Sequence, residues 1–320
     1  MRFGAPPARD ALIGTMNVVK FVLLGALVAA IAAGQSSQQL AETGHCREAL
    51  PLLKADIAKA TAADMQKRLG VDGVRCGMTL DDMDAALDFL RGLHKRFPGD
   101  AEVLYLEVHV FSDLSIRSSH KLMVSDPSSY QVHELNAEAL ETQGKWSDAE
   151  AEYREVLKKD PRLPGIHYRI ARLLLSGPPS PTAKPDARRE LEEEIKIDPN
   201  NAGAEYVLGE LARQDGKDTD AIDHFSRAAK LDVGFVDAFV GLGRTLLTDD
   251  RAADAVAPLE TAVKLDPDSP IAHFNLATAY SRTGRKEDAA REFNLLKQAS
   301  EKLKQTKQQV REGIAGAPPQ

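Results

Sequence analysis

The sequence predicts an all-α solenoid built from stacked antiparallel helix pairs. Three observations carry that reading: apolar residues recur three, four and seven apart in short segments, small residues sit at fixed places between them, and the pattern returns with a period of 34 residues. The clearest copy is Phe239 to Pro267. Phe239, Leu242, Gly243 and Leu246 share one face of a first helix, and Ala255, Leu259 and Ala262 share one face of a second. Asp249-Asp250 between them is expected to turn the chain and to N-cap the second helix. Gly243 and Ala255 are small where the two helices approach, and Pro267 cannot continue a helix. Neither helix buries its apolar stripe alone, so neighbouring pairs must stack.

The same punctuation stands 34 residues upstream, in Leu208-Gly209, Ala221, Phe225 and Ala228. It stands again 34 residues downstream, in Leu276-Ala277, Tyr280, Ala289 and Phe293. On these residues the chain resembles the tetratricopeptide repeat family. The resemblance implies a right-handed superhelical solenoid whose first helices line a concave groove that receives partner peptides or domains. It covers about 130–303 well and about 40–129 weakly. Pentatricopeptide arrays have a similar period, but they are usually basic and follow a different slot pattern, whereas this chain carries a net charge of −7. That charge also argues against a general nucleic-acid binder.

Taken in order, residues 1–34 read as a signal peptide, with Met16 as a possible true start. The run Phe21 to Ala33 carries no charge and has the length of a signal core, and Ala30-Ile31-Ala32 or Ala32-Ala33-Gly34 supplies a cleavage pattern. The run is short for a membrane span, although an N-terminal membrane anchor is the competing reading. Without that segment no stable membrane span is expected. Export to the periplasm or the cell exterior is the favoured localisation. Cys46 and Cys76 both follow the proposed cleavage site, and an even number of cysteines in an oxidising compartment invites a disulfide. Two separate buried thiols are the alternative.

Residues 35–129 form a degenerate helical, repeat-like region. Thr79 with Asp82 resembles a capping box for the helix carrying Ala86, Leu90 and Leu93. The next unit starts at Ala101, runs through Leu104, Tyr105 and Val108, and is one turn short. Residues 130–303 divide into five repeats: 130–163, 164–201, 202–235, 236–269 and 270–303. The second is lengthened at Ser176 to Pro185 by a proline-rich turn, read as tolerated loop growth. Residues 304–320 form a polar capping helix end and a disordered tail.

No motif carries chemistry convincingly. His133, His167 and His273 occupy one slot of their repeats, where the family usually has a bulky aromatic and where Phe239 stands in the fourth copy; packing between helices explains the recurrence. There is no His-Glu-x-x-His, no cysteine–histidine cluster with ligand spacing, no Gly-x-Ser-x-Gly and no phosphate loop. No metal or cofactor is expected. Glu192-Glu193-Glu194 reads as a solvated face.

What remains is a surface. One residue past the packing slot come Glu134, Tyr168, Tyr206, Val240 and Phe274, and four further on come Glu138, Arg172, Glu210, Arg244 and Thr278, with Arg213 and Arg282 one turn beyond. The resemblance implies that these face the groove, as an aromatic stripe bordered by arginines. Some family members clamp a peptide carboxylate with a lysine–asparagine pair in the first repeat. Glu134 and Glu138 stand there instead, which puts that clamp in doubt. The function expected is a non-catalytic, exported scaffold or adaptor holding another protein or peptide in its groove. The alternatives are an accessory subunit of an envelope secretion or biogenesis assembly, or an enzyme with its site in 40–129.

Overall fold

The computed structural model describes residues 36–315, with side chains described through Glu312. The proposed signal peptide and the tail beyond 315 lie outside the described residues. Among the described residues there are fifteen helices and no strand. The chain divides into two compact units at Ser125 and Asp126.

The first unit holds α1 (Ser37–Glu42), α2 (Cys46–Lys59), α3 (Ala63–Thr79), α4 (Met83–Arg96) and α5 (Ala101–Ser125). α1 starts in a capping box, with Ser36 accepting from the Gln39 amide and Gln39 accepting in return. α3 packs between α2 and α4. The α3–α4 approach is tight at Gly77, where a Cβ would lie 2.6 Å from the Ala86 nitrogen. Cys46 opens α2 and Cys76 lies near the end of α3; the two are joined as a disulfide, with Cα atoms 4.9 Å apart, inside a cluster with Leu40, Ala49, Leu53 and Leu69.

Two expectations fail in this unit. Thr79 does not cap α4: it ends α3, its hydroxyl donating to the Arg75 carbonyl, and Asp82 is the N-cap, accepting from the Ala85 amide. An acid that stands one residue before a helix caps it directly. Nor is the segment from Ala101 a shortened pair. It is one uninterrupted helix of 25 residues, since no glycine or proline between 101 and 125 breaks it. Its buried side chains are Val103, Leu106 and Val110, so Leu104, Tyr105 and Val108 fall on the opposite, exposed side.

The second unit contains five helix pairs. They are α6 (Tyr130–Thr142) with α7 (Trp146–Lys159), α8 (Ile166–Ser176) with α9 (Ala183–Ile197), α10 (Ala202–Gln214) with α11 (Asp218–Leu231), α12 (Val236–Thr248) with α13 (Ala252–Leu265), and α14 (Pro270–Arg282) with α15 (Lys286–Ala315). Each second helix of the first four pairs drives one large side chain into the stack: Tyr153, Leu191, Phe225 and Leu259 are fully buried. Glycine is absent from the turn before α13, where Asp250 takes a positive φ of 55° instead. Asp249-Asp250 thus turns the chain, but Arg251 holds the N-cap position and makes no side-chain cap bond, contrary to expectation. The proline-rich loop shortens to 177–182, because α9 takes Pro185 into its first turn, where a missing N–H costs nothing.

In the last three pairs successive first helices touch one another, α10 with α12 and α12 with α14, while the second helices of those pairs make no comparable contact. Over those pairs the stack curves with its first helices on the inside. No helix among the described residues is long and apolar enough to cross a membrane.

Candidate binding groove

The inner row of the second unit is built by α6, α8, α10, α12 and α14. Small residues on these helices let the second helices come close. A Cβ on Gly209 would lie 2.8 Å from the Phe225 ring, and one on Gly241 would lie at the same distance. That packing orients the opposite face of each first helix into the groove.

The predicted groove residues separate into three groups. Exposed ones are Arg172, whose guanidinium lies 5.9 Å from the Tyr168 ring centre, and Phe274. Half-buried ones pair among themselves. Glu210 accepts from Arg213 at 2.7 Å and from Arg244 at 2.9 Å, so α10 and α12 are bridged across the groove floor. The Glu210 hydrogen bond holds the Arg213 guanidinium above its ordinary range. Glu138 pairs with Arg169 at 3.0 Å, and Glu134 is half-buried on the same helix.

The third group departs from expectation. Val240 is buried with Ala262 and Ala272, because α12 and α14 touch at that position. Tyr206 stacks between Phe225 at 5.7 Å and Phe235 at 5.0 Å, and burial pushes its phenol up. Tyr168 packs with Leu174, Ile195 and Val207 around Ala171 and Leu191. Arg282 is exposed as well, but it donates to the Leu247 carbonyl at 2.6 Å and lies near Asp250, tying two pairs together. These four support the stack more than they face a partner.

The histidine slot is not plain packing. His133 hydrogen-bonds Glu152 at 2.7 Å, His167 bonds Glu190 at 2.6 Å and His273 bonds Glu292 at 2.7 Å, each joining the two helices of one pair. In the α10–α11 pair the roles are exchanged: Glu205 stands in the histidine slot and meets His224 at 2.6 Å. The α12–α13 pair has Phe239 and Pro258 at the matching positions. The partner slot is 19 residues on, or 23 across the inserted loop. That offset was readable in the sequence, but the exchange in one copy hides it.

The glutamate run also departs from a solvated face. Glu194 is fully buried and accepts from the Gly165 amide at 2.7 Å, the Tyr168 amide at 3.2 Å and the Asn201 side chain at 3.1 Å. It satisfies the open N-terminus of α8, whose own cap is a glycine without a side chain.

In the first unit, a cavity of about 470 Å³ lies among α2, α3 and α4. Its polar lining is Lys54, Gln66, Asp82, Asp88 and Arg96. Asp82 is committed to capping α4, and Asp88 pairs with Lys54 and Arg91. The lining holds no serine, cysteine or histidine to act as a nucleophile or base. Among the described residues, no group of three or more histidine, cysteine or acidic side chains is placed to hold a metal.

A curved stack of helix pairs with an inner row of first helices defines a repeat solenoid of the protein-binding kind. The tetratricopeptide repeat model matches residues 127–178, 184–232 and 240–302, more than half of the chain, and the chain belongs to that family. No curated protein sequence matches the chain. Among solved structures, it is similar to the MamA protein at 22% identity, covering 54% of this chain and 92% of that one with a TM-score of 0.48. A MamA fragment from Desulfovibrio magneticus RS-1 is 17% identical, covering 54% and 96%, with a TM-score of 0.48. YrrB, described as a TPR protein with an unusual peptide-binding site, is 16% identical, covering 57% and 91%, with a TM-score of 0.48.

Proposed function

We propose that the chain is a non-catalytic scaffold that binds another protein or peptide along the inner row of its first helices. The carrying observation is the Glu210–Arg213–Arg244 cluster, held between α10 and α12 by its own ion pairs, with Arg172 and Phe274 exposed on the helices to either side. A row fixed before the partner arrives loses little ordering entropy on binding. Arg172 is suited to a partner carboxylate and Phe274 to an apolar anchor. Export is part of the proposal. It is supported by the uncharged run Phe21 to Ala33 and by the Cys46–Cys76 pairing, which belongs to an oxidising compartment.

The test is affinity capture with Arg172→Ala/Phe274→Ala against the unaltered chain, since both side chains are exposed and their loss leaves the stack intact. A partner retained by the unaltered chain and lost by the double variant supports the groove. Equal capture by both baits moves the binding surface off this face.

A further inference from the structure

Two residues that weaken helices line one cavity in the first unit. Pro51 stands inside α2, where it removes a backbone donor, and Gly92 stands inside α4. Gly92 has no packing reason to be glycine. A Cβ on each other helical glycine whose surroundings are described would meet a neighbour at 2.8 Å or less, whereas one on Gly92 would meet nothing within 4 Å. What Gly92 leaves open is the wall of the cavity of about 470 Å³ among α2, α3 and α4. Departures from local helix preference are expected where a chain keeps room for a function.

The cavity has an apolar body and a polar end. Leu50, Ile57, Phe89 and Leu93 line its length. α3 runs antiparallel to α4, with Gly77 facing Ala86, Gly73 facing Phe89 and Gly70 facing Leu93. The same register brings Gln66 level with Arg96 at the C-terminal end of α4, and both line the cavity there. Gln66 Nε2 donates to the Ala60 carbonyl, but Gln66 Oε1 is buried with no hydrogen-bond partner. A buried acceptor in that state costs stability until a donor reaches it. Arg96 is exposed and makes no ion pair among the described residues. The acids of the lining are engaged: Asp82 caps α4, and Asp88 meets Lys54 across the cavity and Arg91 on its own helix. The polar end therefore offers one acceptor and one cation.

We propose that this cavity binds an N-acyl amino acid, with the acyl chain along the apolar body, the carboxylate on Arg96 and the amide N–H on Gln66 Oε1. A fatty acid would answer Arg96 and leave Gln66 without a donor. A fatty alcohol would answer Gln66 and leave Arg96 without an anion. In an N-acyl amino acid the donor and the anion stand one carbon apart at the end of an apolar chain, which is the arrangement the cavity presents. Its volume falls within the roughly 300–1,000 Å³ of small-molecule sites, which are mostly apolar with a few placed polar groups. The cavity lies in the first unit and the groove in the second, so either reading can fail alone.

The test is isothermal titration calorimetry of the full chain with N-dodecanoylglycine below its micelle concentration. The expected result is one site per chain with micromolar dissociation. Dodecanoate, which lacks the N–H, and the methyl ester of N-dodecanoylglycine, which lacks the anion, should each bind about tenfold more weakly, as loss of one charged or buried hydrogen bond implies. Arg96→Gln should abolish the preference for acid over ester. Gly92→Leu should fill the cavity and abolish binding, while its thermal transition stays at or above that of the unaltered chain, because leucine suits a helix better than glycine. Absence of binding overturns the proposal, as do equal affinities for the acid, the ester and dodecanoate, or binding retained by Gly92→Leu. A leucine-terminated peptide that binds more tightly than N-dodecanoylglycine would overturn it as well, and would make the ligand a protein C-terminus.

Discussion

Glu194 shows how much a single carboxylate does here. Its two neighbours have the same side chain, yet Glu192 is exposed and Glu193 pairs with Lys196 at the surface. Only Glu194 is fully buried, spending its oxygens on two backbone amides and an asparagine. Removing it leaves those donors buried and unpaired, which costs about 1–3 kcal/mol. Glu194→Ala should therefore lower the unfolding free energy of the second unit, read from urea denaturation, by that amount, while Glu192→Ala changes stability by less than about 0.5 kcal/mol. Equal effects would mean that the α8 N-terminus is satisfied otherwise. Nothing in the local pattern distinguishes the three glutamates, because two of the donors lie 26 and 29 residues away in the chain.

At the scale of the helix pair, the recurring histidine–glutamate bond joins first helix to second. Burial acts to raise the Glu205 carboxyl, but the hydrogen bonds from His224 and Arg227 outweigh it and hold the group below its ordinary value of 4.5. Glu190 is held low in the same way, by His167 and Arg154 against burial. A depressed carboxyl contributes stability that is present above its unfolded pKa and is lost as pH falls through the folded one. At neutral pH, Glu205→Gln should be less stable than the unaltered chain. The gap should begin to close below about pH 4.5 and vanish under the folded value, as read by chemical denaturation across pH. A gap that persists at pH values below both would assign the loss to packing instead of charge. The element scale is also where α5 departs from expectation. Its helical character was legible, but which of its apolar faces meets α4 was not, because both sides read as apolar.

At the scale of the whole molecule, the two units are stabilised by different means. The first carries the Cys46–Cys76 bond, which spans 30 residues. A cross-link of that loop length stabilises by about 3–4 kcal/mol in the chain-entropy account. Reduction, or Cys46→Ser/Cys76→Ser, should lower the melting of α1 to α5 and leave the second unit's transition in place, as followed by hydrogen exchange of each unit. Non-reducing peptide mapping should join the two cysteine peptides; two free thiols in protein from its native compartment would remove the disulfide from the stability account.

The repeat period and the helix pairs of the second unit were legible in the sequence, because a 34-residue pattern of apolar, small and proline positions is written afresh in each copy, and the inner position of its first helices followed from the family resemblance. What each groove residue does was not. Val240, Tyr206 and Arg282 occupy positions that the family turns toward the groove, yet neighbouring pairs pack closely enough here to bury or engage them. Local periodicity specifies which face of a helix points inward. Only the stacked structure decides how far the next helix stands from that face, and so which side chains remain free to meet a partner.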